Sequence, residues 1–133
     1  MVIKAFLVED RADIRTTLVE AMEAITPIKF VGYAGTETDA KKWLGGHAGQ
    51  WDLAIVDLFL DEGSGFGVLQ ECQGRGTLQK VVVLTNYHDQ LIWDRCMQLG
   101  ADKVFDKSED LDKLVGYCKA LAASLDDVAQ TLP

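Results

Sequence analysis

The chain has 133 residues, 48% hydrophobic and 26% charged, which suits one domain with a real core and hardly two. A formal net charge of -8 with no run of Lys or Arg argues against an unaided grip on nucleic acid or an anionic membrane surface. No apolar stretch has the length of a membrane span, and MVIKAFLVEDR is too short an apolar start for a signal peptide.

Cys72, Cys96 and Cys118 are odd in number and far apart, so they read as small core residues of a cytosolic protein. His47 and His88 are too few and too scattered to suggest a zinc site.

Val2 to Val8 is a short apolar run, read as the first strand, and it ends in Glu9-Asp10. Ile14, Leu18, Met22 and Ile25 then recur at helical spacing until Pro27 stops them. Lys29 to Ala34 is a second strand. Thr36 is placed to cap a second helix, which Gly45-Gly46 ends. Leu53 to Asp57 is a third strand, followed by a helix marked by Phe66, Leu69 and Cys72 and closed by Gly74 and Gly76. Val81 to Thr85 is a nearly pure β-branched fourth strand. Leu91, Ile92, Cys96 and Leu99 give a fourth helix that stops at Gly100. Lys103 to Phe105 is a fifth strand. Ser108 is placed to cap a last helix with the stripe Leu111, Leu114, Val115, Cys118, Leu121 and Leu125. The folded unit spans 1–122, and 123–133 reads as a polar C-terminal tail that frays.

Short apolar strands alternating with amphipathic helices imply an α/β, doubly wound parallel sheet of five strands, order 2-1-3-4-5. In such a sheet the chemistry sits beyond the carboxyl ends of the strands. Glu9 and Asp10 end the first strand, Asp57 the third and Thr85 the fourth, and Lys107 follows the fifth. Each residue alone has a plain reading: a loop acid, an acid pair at a helix start, a β-branched strand end, a solvated lysine. Together they are a site. Three carboxylates repel one another unless a divalent cation joins them, and an all-oxygen set suits Mg²⁺ or Mn²⁺. A carboxylate beside such an ion is a competent nucleophile toward phosphorus, and Thr85 and Lys107 offer donors to phosphoryl oxygens. Gly63, Gly65 and Gly67 permit a tight turn after Asp57, and their spacing is not that of a dinucleotide loop.

Glu9-Asp10, Asp57 in DLFLDEGSG, Thr85 in VVVLTN and Lys107 in GADKVFDKS resemble the receiver domain of two-component response regulators, over roughly residues 2 to 122. The resemblance implies a flavodoxin-like receiver fold and a phosphorylation-activated switch, cytoplasmic, and not an enzyme acting on a separate substrate. Asp57 would accept a phosphoryl group from the phosphohistidine of a sensor histidine kinase or phosphotransfer protein. Glu9, Asp10, Asp57 and the backbone carbonyl of Phe59 would hold Mg²⁺ (or Mn²⁺). Thr85 would be the switch hydroxyl and Lys107 the partner of the phosphoryl group, with self-catalysed transfer and autodephosphorylation. The state would pass to a downstream protein or an output domain, with no direct nucleic-acid or membrane contact. A phosphorylation-dependent homodimer over the fourth helix, fifth strand and fifth helix is also implied.

Three positions depart from the family pattern. Asp61 and Ser108 stand where prolines are common, and Val104 stands where the switch aromatic is usual, with Phe105 next to it. Adjacent strand residues point to opposite faces, so Phe105 is no simple substitute. Phe59 and Tyr87, two residues past Asp57 and Thr85, are large rings, and Asn86 is larger than the usual residue there. Crowding by them implies a long-lived phosphorylated state that small donors reach slowly. The rival readings are an aspartyl phosphohydrolase, a flavodoxin-like electron carrier and a non-phosphorylated receiver-like interaction domain. The first wants an acid where Phe59 stands, and the second wants a hydroxyl-rich loop where Glu9-Asp10-Arg11 stands. The third stays open.

Overall fold

A computed structural model describes residues 2–131. The strands are β1 (Ile3–Val8), β2 (Ile28–Ala34), β3 (Leu53–Asp57), β4 (Lys80–Thr85) and β5 (Lys103–Asp106). The helices are α1 (Ala12–Ile25), α2 (Glu37–Gly46), α3 (Gly65–Glu71), α4 (Gln90–Gln98) and α5 (Leu111–Thr131), with a 3₁₀ turn at Cys72–Gly74. All strand pairs are parallel, in the order β2-β1-β3-β4-β5. This is the five-stranded doubly wound architecture that the alternating pattern implies.

Strand alternation divides the core in two. Phe6, Val8, Ala54, Val56, Val81, Val83 and Val104 face α2, α3 and α4. Ile3, Ala5, Leu7, Leu53, Ile55, Val82, Leu84 and Phe105 face Leu18 and Met22 of α1 and Leu114, Cys118 and Leu121 of α5. Because both faces are covered, the central strands β1, β3 and β4 are almost wholly apolar, whereas the edge strand β2 alternates, with Lys29, Val31 and Tyr33 exposed. Val104 and Phe105 lie in opposite cores, and Phe105 meets Tyr117 edge-on with ring centroids 5.9 Å apart. The three cysteines are free and buried. No helix among the described residues is long and apolar enough to cross a membrane.

Several local expectations change. Ile25, Leu91 and Leu111 fit the helical periodicity yet are exposed, each in the first or last turn of its helix. Ser108 does not cap α5. The helix starts at Leu111, and the carbonyl of Asp110 accepts its first turn through the Leu114 amide at 2.9 Å. The Ser108 hydroxyl instead donates to Asn86 Oδ1 at 3.1 Å. From 123 onward the chain does not fray at once. α5 continues to Thr131, since Leu125 extends the buried stripe begun by Leu114, Cys118 and Leu121. Residues 132 and 133 of that tail lie outside the described residues.

Candidate functional site

Parallel strands bring their carboxyl ends to one edge of the sheet. β1 delivers Glu9 and Asp10, β3 delivers Asp57, β4 delivers Thr85 and the end of β5 delivers Lys107. All five residues singled out by sequence stand on this edge. Phe59 follows Asp57 by two residues, in the loop leading to α3.

Lys107 joins two of the acids. Its Nζ lies 2.5 Å from Glu9 Oε2 and 3.1 Å from Asp57 Oδ2. Glu9 is buried, and its side chain is 2% exposed against 12% for Asp57 and 15% for Lys107. Asp57 is therefore mostly covered, rather than standing free at a strand tip. Its cost of burial is offset by the ammonium. Burial pulls the Lys107 ammonium down, but the hydrogen bond to Glu9 and the charges of Asp57 and Glu9 outweigh it and leave its pKa raised. Burial pushes the Glu9 carboxyl up, Lys107 pulls it back, and the neighbouring Asp57 pushes it up again, so the net direction is up. A buried and a largely covered carboxylate thus share one cation, and negative charge is left over.

One ligand oxygen each from Glu9, Asp10 and Asp57 can be chosen so that all lie within 4.8 Å of one another. That excess charge and the all-oxygen donor set fit a hard divalent ion such as Mg²⁺. The loops are pinned around the cluster. Asp10 Oδ2 accepts the amide of Asp61 at 2.9 Å, and Glu9 Oε1 accepts that of Arg11 at 3.3 Å. Sequence comparison marked Asp61 only as a missing proline, yet a proline has no N–H to give Asp10. The turn after Asp57 needs its glycines. Gly63 has φ +82°, and a Cβ at Gly65 would collide with the carbonyl oxygen of Asp57. Glu37 of α2, which no sequence pattern singles out, holds this turn from outside: its Oε1 accepts the Ser64 amide at 2.8 Å.

Thr85 is fully buried, and its Oγ1 accepts the Tyr87 amide at 3.2 Å. The rings of Phe59 and Tyr87 stack at 4.1 Å with a 38° tilt. The indole Nε1 of Trp93 donates to the Tyr87 carbonyl at 2.5 Å. The loop after Thr85 is thus held to α4 by Trp93 and to the loop after β5 by Asn86 and Ser108.

The chain is similar in sequence or in fold to several known proteins. The DNA-binding transcriptional activator DevR/DosR of Mycobacterium tuberculosis is 29% identical over 85 residues, covering 64% of this chain and 38% of that protein. The chain therefore spans well under half of the length of that relative. The phosphorylated cyanobacterial phytochrome response regulator RcpA is 26% identical, with TM-score 0.71 and 91% of each chain covered. A two-component response regulator of the LuxR family from Aurantimonas sp. SI85-9A1 shares the fold at TM-score 0.80 and 19% identity, over 92% of this chain and 87% of that one. The model of the response regulator receiver domain family matches residues 5–119. With the acids, hydroxyl and lysine on their expected strand ends, the chain belongs to the response regulator receiver domains of two-component systems.

Proposed function

We propose that this domain is a phosphorylation-activated switch in which Asp57 accepts a phosphoryl group from a phosphohistidine of a sensor histidine kinase or phosphotransfer protein. The observation that carries this reading is Lys107 lying between Glu9 and Asp57 at the edge where Asp10 and Thr85 also end. An Asp57 carboxylate oxygen forms the new O–P bond as the P–N bond to the donor imidazole breaks, and the donor takes up a proton. Lys107 already neutralises one Asp57 oxygen and is within reach of the phosphoryl oxygens that would arrive beside it. Glu9, Asp10, Asp57 and the carbonyl of Phe59 would hold Mg²⁺ or Mn²⁺. That ion supplies charge neutralisation for the transferred group.

Thr85 spends its hydroxyl on the Tyr87 amide in the present state. Turning that hydroxyl toward a phosphoryl group releases the amide and loosens the loop after β4. With Val104 where the family carries its switch aromatic, the message travels through this loop to a downstream protein or output domain. The same reading makes the protein cytoplasmic and a phosphoacceptor that catalyses its own transfer and dephosphorylation.

The test is intact-mass measurement after incubation with acetyl phosphate or phosphoramidate and Mg²⁺. The wild type should gain one phosphoryl group, and Asp57→Asn should gain none while melting normally. If the wild type gains nothing from either small donor or from a phosphorylated kinase, the non-phosphorylated interaction domain is the better reading.

A further inference from the structure

A second convergence of ligating side chains lies away from Glu9, Asp10 and Asp57. His88 stands in the loop after β4, Asp106 closes β5, and Glu109 stands in the turn before α5. One ligand atom from each lies within 4.8 Å of the others. Their wide separation in sequence is why His88 looked isolated.

Asp106 is an uncommon residue for its place, since a strand end 2% exposed is costly for a carboxylate. Half of that cost is met. Its Oδ1 accepts the amides of Ser108 and Glu109, each at 2.8 Å. Its Oδ2 accepts no hydrogen bond among the described residues. His88 Nε2 lies 2.5 Å from that same oxygen, an ion pair when the ring is protonated. Only a proton or a metal cation can join this buried oxygen to the ring nitrogen that faces it. Once the ring gives up its proton, imidazole and carboxylate both present lone pairs, and a metal cation between them satisfies both. Glu109 is exposed and can close on the same point.

The donor set decides the ion. One imidazole with two carboxylates suits Zn²⁺, whereas Mg²⁺ prefers oxygen alone and keeps its waters. Zinc bonds of about 2.0–2.2 Å set tetrahedral ligand atoms roughly 3.3 Å apart. The His88 ring therefore backs away by less than about 1 Å, which its 63% exposed side chain permits. The fourth position is left to water.

We propose that His88, Asp106 and Glu109 form a Zn²⁺ site of three protein ligands between the loops after β4 and β5, chemically distinct from the acidic cluster around Asp57. None of its ligands is among the residues assigned to phosphoryl transfer. A bound ion would tie the loop that follows Thr85 to the start of α5, reinforcing the Ser108–Asn86 hydrogen bond across the same gap.

The experiment uses the full chain freed of metal with a chelator. ZnCl₂ is titrated by calorimetry, with melting followed in parallel. The wild type should take up one Zn²⁺ per chain and melt higher. His88→Ala and Glu109→Gln should each lower Zn²⁺ affinity at least tenfold, while the melting shift produced by Mg²⁺ stays as in the wild type. Paramagnetic Co²⁺ should displace the ring resonances of His88 and leave those of His47 in place. Wild-type Zn²⁺ affinity retained in His88→Ala, equal displacement of both histidines, or no Zn²⁺ uptake by the wild type would each overturn the site. The last outcome would leave His88 and Asp106 as an ion pair joined by a proton.

Discussion

The backbone N–H of Asp61 donates to Asp10 Oδ2 at 2.9 Å, tying the loop that leaves β3 to the acid that ends β1. A hydrogen bond to a charged acceptor at a partly exposed site is worth about 1 kcal/mol net. Asp61→Pro should lose roughly that much in urea unfolding, and Asp61→Asn, which keeps the amide, should not. Equal losses in the two variants would mean that the side chain, and not the amide, matters there.

Glu9 and Asp57 share the one Lys107 ammonium, and the negative excess is the reason to expect a metal-dependent gain in stability. Mg²⁺ should raise the melting temperature of the wild type. Glu9→Gln combined with Asp10→Asn should erase that rise and leave the metal-free protein at least as stable as the wild type, since like charges have been removed. A metal-induced shift that survives in the double variant would move the ion elsewhere.

Phe59 and Tyr87 stack at 4.1 Å while remaining 43% and 50% exposed, so two rings stand together beside Asp57 without being needed for the core. We expect them to screen Asp57 from an in-line water. Phe59→Asn with Tyr87→Glu should speed loss of the phosphoryl group several-fold on a phosphate-sensitive gel, and should speed labelling by acetyl phosphate as well. Slower or unchanged dephosphorylation would show that these side chains orient the water instead of excluding it.

Burial pushes the Cys72 and Cys96 thiols up to about 11 and Cys118 up to about 12. The thiolate is the reactive form. Iodoacetamide at about pH 8 should therefore leave the native protein unlabelled and modify three sites in urea. These pKa values are raised above the unfolded value of 9.0. The stabilisation they bring is whole below pH 9 and falls away as pH rises through 11 to 12. Cys118→Ala should flatten that alkaline decline in unfolding free energy. An equally steep decline would assign it to other groups.

The sheet order and the strand-end residues were readable because parallel strands must be apolar on both faces and must stop where polarity begins. Val8 gives way to Glu9, Val56 to Asp57 and Leu84 to Thr85, so the chemistry is written at the point where the hydrophobic run breaks. The partners of these residues were not readable. Glu37 reaches the Ser64 amide from another helix, and Asp61 acts through its backbone, which no side-chain pattern reveals. The start of α5 was misplaced because a serine looks like a cap, whereas Asp106 had already taken the amides of Ser108 and Glu109 and pushed the first turn back to Leu111. Helix-end residues such as Ile25 and Leu91 match the periodicity but are exposed, since periodicity alone does not say where a helix stops packing.

The three tryptophans occupy unequal positions. Trp43 is sandwiched between Phe6 and His47, with ring centroids 4.1 Å away on each side, and Trp51 is buried in the core. Trp93 alone hands its indole hydrogen to the Tyr87 carbonyl, in the segment that Thr85 would set free. The molecule therefore carries its own optical gauge. Should phosphorylation free that loop as proposed, emission from Trp93 is expected to change while the packed Trp43 and Trp51 hold steady, so switching could be followed with no dye attached.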